Sequence, residues 1–206
     1  MNNFNWESFL KQESRKAIAK CKENKSNDPY GVWNRFIADY PDVIESEWLG
    51  FPGASETQIV AAETRLSVNL PPSYREFLKV TNGWCEYPDT VGLCSVEAIE
   101  WLYTLENRSW IDGWWILPDQ KIPSVPDEEY FVYDTNWYQP LRTEYMQTAL
   151  QISDDEEGDI ILLNPKIIHD GEWEAWLFSC RSPGATRYRS FKEMLQTLGM
   201  QDFWKW

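Results

Sequence analysis

The amino-acid sequence predicts an α+β fold, a single domain in which a mostly antiparallel β-sheet is packed with α-helices. Three observations support this prediction. Apolar residues recur at helical spacing through much of the first half of the chain. Two stretches between residues 149 and 178 have the composition of β-hairpins, with apolar runs on either side of turn-forming residues. A helical pattern then returns at residues 190–199.

The first two helices are predicted near the N-terminus. Residues 6–23 form an amphipathic pattern, since apolar residues recur at helical spacing while lysines and arginines occupy the other side. A shorter helix is predicted over residues 30–39, and it stops before Pro41.

Further helices are predicted from capping boxes, in which a Ser or Thr caps the helix and a Glu or Gln three residues later reaches back. Ser55 to Gln58 is such a box and opens a helix over residues 55–68. Ser73 to Glu76 predicts a second box, whose helix stops at Asn82-Gly83. Ser95 is predicted to cap a third helix with these residues facing inward: Val96, Ile99, Leu102 and Tyr103.

Strands are predicted from residue 131 onwards. Residues 118–127 contain three prolines and predict an irregular surface loop. Phe131–Tyr133 then forms a short β-prone run. Residues 149–153 and 160–163 flank an acidic turn, and this arrangement predicts a hairpin.

A second hairpin and a closing helix complete the predicted elements. Residues 173–178 alternate after Asp170-Gly171, a dipeptide typical of tight hairpin turns. Ser190 to Glu193 is a third capping box, and its helix ends at Gly199.

The charge of the chain is strongly acidic and unevenly distributed. The 206 residues include 33 acidic and 19 basic ones, a formal net charge of −14. Residues 85–180 alone hold 20 acidic and 4 basic residues, while both ends of the chain are mildly basic. Direct binding of nucleic acid or of anionic membranes requires the opposite sign of charge. The distribution favours a directional acidic face and fast association with a basic partner.

The aromatic content predicts a large core. An apolar fraction of 43% and 13 tryptophans exclude a disordered chain. Several tryptophans lie among the acidic residues: Trp101, Trp110, Trp114, Trp115 and Trp137. Core packing is the favoured interpretation for each of them, and exposure as an anchor in an acidic interface is the alternative.

The sequence also bears on location. It contains no stretch near the ~20 apolar residues of a membrane span, and its first residues lack the features of a secretory signal. The four cysteines form no CxxC pair. We therefore expect a cytoplasmic protein with reduced thiols and no membrane partner.

Signatures of catalysis and metal binding are sparse. His169 is the single histidine, and its position where a strand runs into a turn favours an ordinary turn residue. The sequence has no paired zinc-ligand spacing, no Walker-type glycine loop and no GxGxxG. The acidic run Asp154–Asp159 lacks the ligand pattern of a calcium loop. We therefore expect no enzymatic activity, no metal and no cofactor.

Two blocks of sequence resemble the SUKH superfamily, which includes a fungal cell-wall-assembly regulator and many bacterial immunity proteins. The first block runs from Trp48–Ser55 through Leu70–Leu78 to Asn82-Gly83. The second comprises these segments: Glu157–Pro165, Gly171–Trp176, Pro183–Ala185 and Ser190–Glu193. The blocks occur in the expected order, and the resemblance covers about residues 45–200.

The resemblance implies an α+β domain at residues 45–200, preceded by an N-terminal helical extension (1–44) and followed by a C-terminal tail (201–206). It implies neutralisation of a protein toxin, often a nuclease, and it transfers no catalytic residues. Two alternatives stay open. The first is a regulatory scaffold that binds several proteins, and the second is a hydrolase that uses carboxylates or His169.

The predicted partner is a cognate, basic toxin domain held by an acidic surface, with no direct binding of nucleic acid. A solvated turn is the competing interpretation of the acidic run. The candidate partner-binding residues are Asp154, Asp155, Glu156, Glu157, Asp159, Asp127, Glu128, Glu129 and Trp137.

Overall fold

The fold combines helices with one antiparallel sheet, in a computed structural model that describes residues 4–88, 90–104, 125–133, 138–155, 159–179 and 184–200. The α-helices are α1 (Trp6–Asn24), α2 (Val32–Asp39), α3 (Pro41–Ser46), α4 (Glu56–Leu66), α5 (Pro72–Val80), α6 (Asp127–Tyr130) and α7 (Phe191–Leu198). The strands are β1 (Glu100–Trp101), β2 (Leu150–Gln151), β3 (Asp159–His169), β4 (Glu172–Ser179) and β5 (Ala185–Tyr188). Short 3-10 helices occupy Leu102–Thr104 and Thr143–Thr148. None of the helices in these ranges is long and apolar enough to cross a membrane.

The sheet is a meander in which each described strand is antiparallel to the next in the chain. Its central hairpin, β3 to β4, turns at Asp170 and Gly171, whose φ angles are 51° and 84°. Positive φ at both central residues matches the right-handed twist of the flanking strands. The predicted α+β class and both predicted hairpins are therefore confirmed.

The first face of the sheet is apolar and carries most of the helices. Ile161 and Leu163 of β3 belong to the same buried cluster as residues of α1, α5 and α7. At the centre of that cluster, the ring of Phe191 lies 5.1 Å from the ring of Phe77 and 5.9 Å from that of Trp6. These contacts explain why the most recognisable part of the sequence, around Tyr74 and Phe77, is fully buried.

Helix α1 is joined to this core by polar as well as apolar contacts. The hydroxyl of Ser14 accepts a hydrogen bond from Leu49 N and donates one to Glu47 O, both at 2.8 Å. Met200 N donates to the carboxylate of Glu13 at 3.0 Å. Helix α1, near the N-terminus, is therefore hydrogen-bonded to a residue near the C-terminal end of the described chain. The predicted domain boundary between residues 44 and 45 stays a prediction.

The second face of the sheet is also covered. Ile160 and Leu162 of β3 pack with Trp176 and Phe178 of β4, and these side chains are fully buried. Met146, from the 3-10 helix before β2, closes over them. On this face, in contrast to the first, the strands themselves contribute fully buried charged side chains, Glu174 and Arg187.

Two capping predictions are confirmed in different degrees. Ser55 and Gln58 form the full reciprocal box at the start of α4. At α7, Ser190 accepts from Glu193 N at 3.0 Å, but the carboxylate of Glu193 reaches Arg189 N instead of Ser190 N. The predicted box at Ser73 is wrong, because α5 begins at Pro72 and Ser73 lies within its first turn.

Ser73 instead joins α5 to the sheet. Its backbone N and hydroxyl both donate to the carboxylate of Glu172, at 2.9 and 2.7 Å. A proline at the first helical position needs no amide partner, so a side-chain cap is dispensable there.

Two further predictions are wrong. Ser95 opens a single turn, not a helix, and Glu100–Trp101 continues as strand β1 because it pairs with β2. Phe131–Tyr133 is not a strand, since it follows α6 and pairs with no strand in the described residues. In both places the tertiary partner decides the conformation.

Candidate partner-binding surface

A glutamate and an arginine are buried together on the second face of the sheet. Glu174 of β4 and Arg187 of β5 are fully buried, and Arg187 Nη1 lies 2.8 Å from Glu174 Oε1. Strand alternation places Glu174 on the same face as Trp176, two residues later. Buried charges are tolerated when they are paired and their remaining polar atoms are hydrogen-bonded.

Glu174 meets this condition through four further donors. These are Tyr130 Oη at 2.7 Å, Tyr133 Oη at 2.9 Å, Asn164 Nδ2 at 3.0 Å and Trp176 Nε1 at 2.8 Å. Burial, and then the charge of Glu174, raises the pKa of both tyrosine hydroxyls. Both tyrosines therefore stay protonated and act as donors, and this fixes them against the sheet.

Arg187 holds the backbone on either side of Phe131. Its Nη2 atom donates to Tyr130 O and, more weakly, lies 3.5 Å from Val132 O. Its guanidinium also stacks over the ring of Tyr130, 3.9 Å from the centroid. The carbonyls of Tyr130 and Val132, on either side of Phe131, thus both contact the fully buried side chain of Arg187.

Arg142 holds the same stretch from the other side. Its Nε donates to Val125 O at 2.8 Å, and its Nη2 forms an ion pair with Asp127. Its guanidinium lies over the ring of Tyr130, 4.5 Å from the centroid. Residues 125–133, here called the clamped segment, are therefore fixed by two arginines, one at each end.

The outer side of the clamped segment is acidic and apolar. Asp127, Glu128 and Glu129 are all exposed on the single turn of α6. Directly after it, Phe131 and Val132 are 42% and 57% exposed. The segment thus presents carboxylates beside apolar side chains on a fixed backbone.

His169 contacts the inner edge of this segment. Its Nε2 lies 2.7 Å from Tyr133 Oη, and its ring centroid is 6.4 Å from that of Phe131. Because the Tyr133 proton is donated to Glu174, we assign the hydrogen to His169 Nε2. The histidine is therefore a hydrogen-bond donor at the end of β3.

The structure brings together one group of the predicted acidic residues. Asp127, Glu128 and Glu129 share α6, whereas Asp154 is exposed at the end of the β2 segment, with its backbone N bonded to Gly92 O at 3.0 Å. Asp155 is half-buried and Asp159 is buried at the start of β3. The remaining predicted residues, Glu156, Glu157 and Trp137, lie outside the described residues, as do Trp110, Trp114 and Trp115.

Two of the described cysteines, Cys85 and Cys94, have thiols with raised pKa values. Burial raises the pKa of the Cys85 thiol to about 11, and burial followed by the charge of Asp154 raises that of Cys94 to about 12. Such thiols are protonated at neutral pH and are poor nucleophiles or metal ligands. Within the ranges that the structure describes, no group of three His, Cys, Asp or Glu residues could hold a metal ion.

An open groove of about 460 Å³ lies elsewhere, beside β1 and the irregular stretch of β3. The described residues that line it are Val68, Trp101, Tyr103, Thr104, Gln147, Thr148, Pro165 and Lys166. This lining is largely apolar and includes no carboxylate, so the groove is an aromatic surface without the acidity of the clamped segment.

The sequence predicted the acidic turn but missed what holds it in place. One signal was available, because Glu174 occupies an apolar position of a predicted strand and a charge there requires a buried partner. Nothing in the sequence identified Arg187, Tyr130 or Tyr133 as those partners. Their contacts join strands to a segment more than 40 residues away in the chain, such as Tyr130 to Glu174 with a separation of 44.

Comparison with protein-family models gives a match over most of the chain. The family model described as SMI1 / KNR4 family (SUKH-1) matches residues 53–197, which include β1 to β5 and the clamped segment. No curated protein matches the chain.

Proposed function

The chain belongs to the SMI1 / KNR4 family (SUKH-1), and on that premise we propose that it is an immunity protein. It binds a cognate bacterial toxin domain, a basic one of the nuclease type, and neutralises it by stoichiometric binding without catalysis. It acts in the cytoplasm of the cell that it protects.

The charge of the chain supports this proposal. A toxin that acts on nucleic acid needs a cationic groove for the phosphates. The acidic residues of this chain are concentrated at positions 85–180, and three of them, Asp127, Glu128 and Glu129, are exposed on one turn. Carboxylates presented in this way can stand where the phosphates of the substrate would lie, so that the bound protein blocks the groove.

Inhibition would proceed in two physical stages. Long-range attraction between opposite net charges speeds the encounter of the two proteins, and this stage weakens as salt is added. Short-range contacts then set the rate of dissociation, because desolvated apolar contacts are little affected by salt. The two stages predict a strongly salt-dependent association rate and a nearly salt-independent dissociation rate.

The observation that carries the proposal is the fixed acidic turn. Glu128 and Glu129 form no ion pair within the described chain, and the backbone beside them is held by Arg142 and Arg187. An acidic surface that is already ordered loses little conformational entropy on binding.

The test is protection and binding with the toxin domain encoded by the neighbouring gene. Wild-type protein should protect cells that express this domain, and Glu128→Lys with Glu129→Lys should slow association at low salt by about 10-fold or more. The matched control is Asp42→Lys with Glu45→Lys, an equal change of charge at exposed positions of α3. Failure of the wild-type protein to bind or protect would refute the proposal. Equal slowing by both pairs would show that total charge, and not the acidic turn, governs association.

A further inference from the structure

The exposed apolar residues of the clamped segment are unusual in their placement. Phe131 and Val132 are consecutive, and both are exposed directly after the carboxylates of α6. Other large exposed apolar residues in the described chain, such as Val60 on α4 and Tyr103 beside the groove, have no such acidic turn before them in sequence. Adjacent apolar side chains beside charged ones are the pattern of an interface centre with a polar rim.

From this placement we infer that Phe131 and Val132 are the apolar anchor of the toxin-binding surface, an inference that rests on the proposed function. The partner surface that fits them is an apolar pocket bordered by lysine or arginine side chains. The side chains of Phe131 and Val132 fill this pocket, and Glu128 and Glu129 form ion pairs with the lysine or arginine side chains around it.

The backbone geometry makes these two residues suitable anchors. Arg187 is tied to the carbonyl of Tyr130, before Phe131, and lies within reach of the carbonyl of Val132. Because Arg187 is itself fully buried against Glu174, the peptide groups around Phe131 are held by the sheet. An aromatic side chain on an already ordered backbone contributes its buried area at a low cost in entropy.

The charges beside the anchor determine the kind of partner. The exposed acids of α6 would repel an acidic protein and attract a basic one, and Asp127 is already paired with Arg142. This leaves Glu128 and Glu129 as the α6 carboxylates that form no ion pair within the described residues. Charge complementarity therefore selects a basic protein surface.

The experiment compares Phe131→Ala with Val132→Ala, combined in one chain, against the double control Tyr103→Ala with Val60→Ala. The control residues are 38% and 47% exposed, so each double variant removes similar exposed apolar groups. The probe is the purified toxin domain from the neighbouring gene, made inactive at its catalytic residues, and the readouts are the association and dissociation rates. Thermal unfolding checks that both variants remain folded.

The anchor variant should dissociate about 30-fold faster or more, with its association rate within about twofold of wild type, and the control should match wild type. Dissociation of the anchor variant within about twofold of wild type would overturn the inference while leaving the proposed function intact. Equal acceleration by both variants would also overturn it, since the effect would not be specific to the anchor. Absence of any binding by the wild-type protein would refute the proposed function and the anchor together.

Discussion

The two faces of the sheet bury their side chains by different means. On the first face, helices α1, α5 and α7 cover apolar residues such as Leu163 and Leu177, and aromatic rings fill the space between them. On the second face, apolar residues lie beside the ion pair of Glu174 and Arg187, and the covering elements are short. The first face is held mainly by packing, and the second by packing together with directional hydrogen bonds.

This difference separates the scaffold from the presented surface. Packing of apolar side chains stabilises the fold but does not direct a particular loop outward. Hydrogen bonds from buried groups act at defined distances, so Arg187 and Glu174 can fix the tyrosines and carbonyls of the clamped segment. The polar face therefore both completes the core and orders the surface that we propose to bind the toxin.

The largest expected effect comes from breaking the buried pair. Arg187→Met should lower the free energy of unfolding by about 3–5 kcal/mol, because it leaves the Glu174 carboxylate buried without its cation. Urea denaturation measures the change. The control is Arg15→Met, which removes a largely exposed ion pair with Glu47 and should cost about 1 kcal/mol or less.

A double variant sharpens this result. Arg187→Met combined with Glu174→Gln removes both charges but keeps an amide oxygen that can accept from the buried donors, and it should recover part of the stability lost in Arg187→Met alone. A loss of less than about 1 kcal/mol in the single variant would mean that the ion pair of Glu174 and Arg187 is solvated and contributes little.

The next prediction compares the loss of stability caused by leucine-to-alanine substitutions on the two faces of the sheet, at neighbouring positions of β3. Leu162 and Leu163 of β3 are both fully buried, Leu162 in the cluster of the second face and Leu163 in that of the first. Leu162→Ala and Leu163→Ala should each cost about 2–5 kcal/mol in urea denaturation. A cost below about 1 kcal/mol at Leu162 alone would indicate a solvated second face, as many antiparallel sheets have.

Much of the apolar face was predictable from the sequence. Helical spacing and the box of Ser55 and Gln58 located α4, and the dipeptide Asp170-Gly171 located the central turn. These signals are local, since each depends on residues within a few positions of one another. The family match confirms the SUKH resemblance, which implied the same α+β class as these local patterns.

The errors occurred where long-range contacts decide the structure. Ser95 begins no helix because β1 pairs with β2, about 50 residues later in the chain. The predicted box at Ser73 has the right sequence, but its hydroxyl is used by Glu172. The pairing of Glu174 with Arg187 and with two tyrosines likewise depends on the folded sheet, so the sequence could suggest only the acidic turn and not its support.

A smaller effect on stability distinguishes Ser55 from Ser73, both of which the sequence predicts to open a capping box. Ser55→Ala should cost about 1 kcal/mol because it removes the cap of α4. Ser73→Ala should cost a similar amount, but through the lost hydrogen bond from its hydroxyl to Glu172. A double-mutant cycle with Glu172→Ala should give a coupling energy of at least about 0.5 kcal/mol for Ser73 and close to zero for Ser55. Equal coupling for the two serines would contradict this assignment.

The smallest expected effect concerns a thiol next to one of the predicted acidic residues. Cys94 Sγ lies 3.8 Å from Asp154 Oδ1, and the pKa of this thiol is raised to about 12, mainly by burial and then by the charge of Asp154. A raised pKa lowers the thiolate fraction at a given pH, and the thiolate is the species that reacts with iodoacetamide. Reaction at Cys94 should therefore be slow at pH 8 and should become faster as the pH rises towards 12.

Asp154→Asn separates the effect of burial on the pKa of Cys94 from the effect of the Asp154 charge. Removing the charge should lower the pKa of Cys94 and speed its alkylation severalfold, while burial keeps the reaction slower than that of a free thiol. Cys85 serves as the internal control, since its pKa of about 11 is raised by burial and then by Glu86, not by Asp154. Peptide mapping by mass spectrometry measures both sites in one sample. An unchanged rate at Cys94 would contradict the contribution of Asp154 and would mean that burial alone suppresses the thiolate.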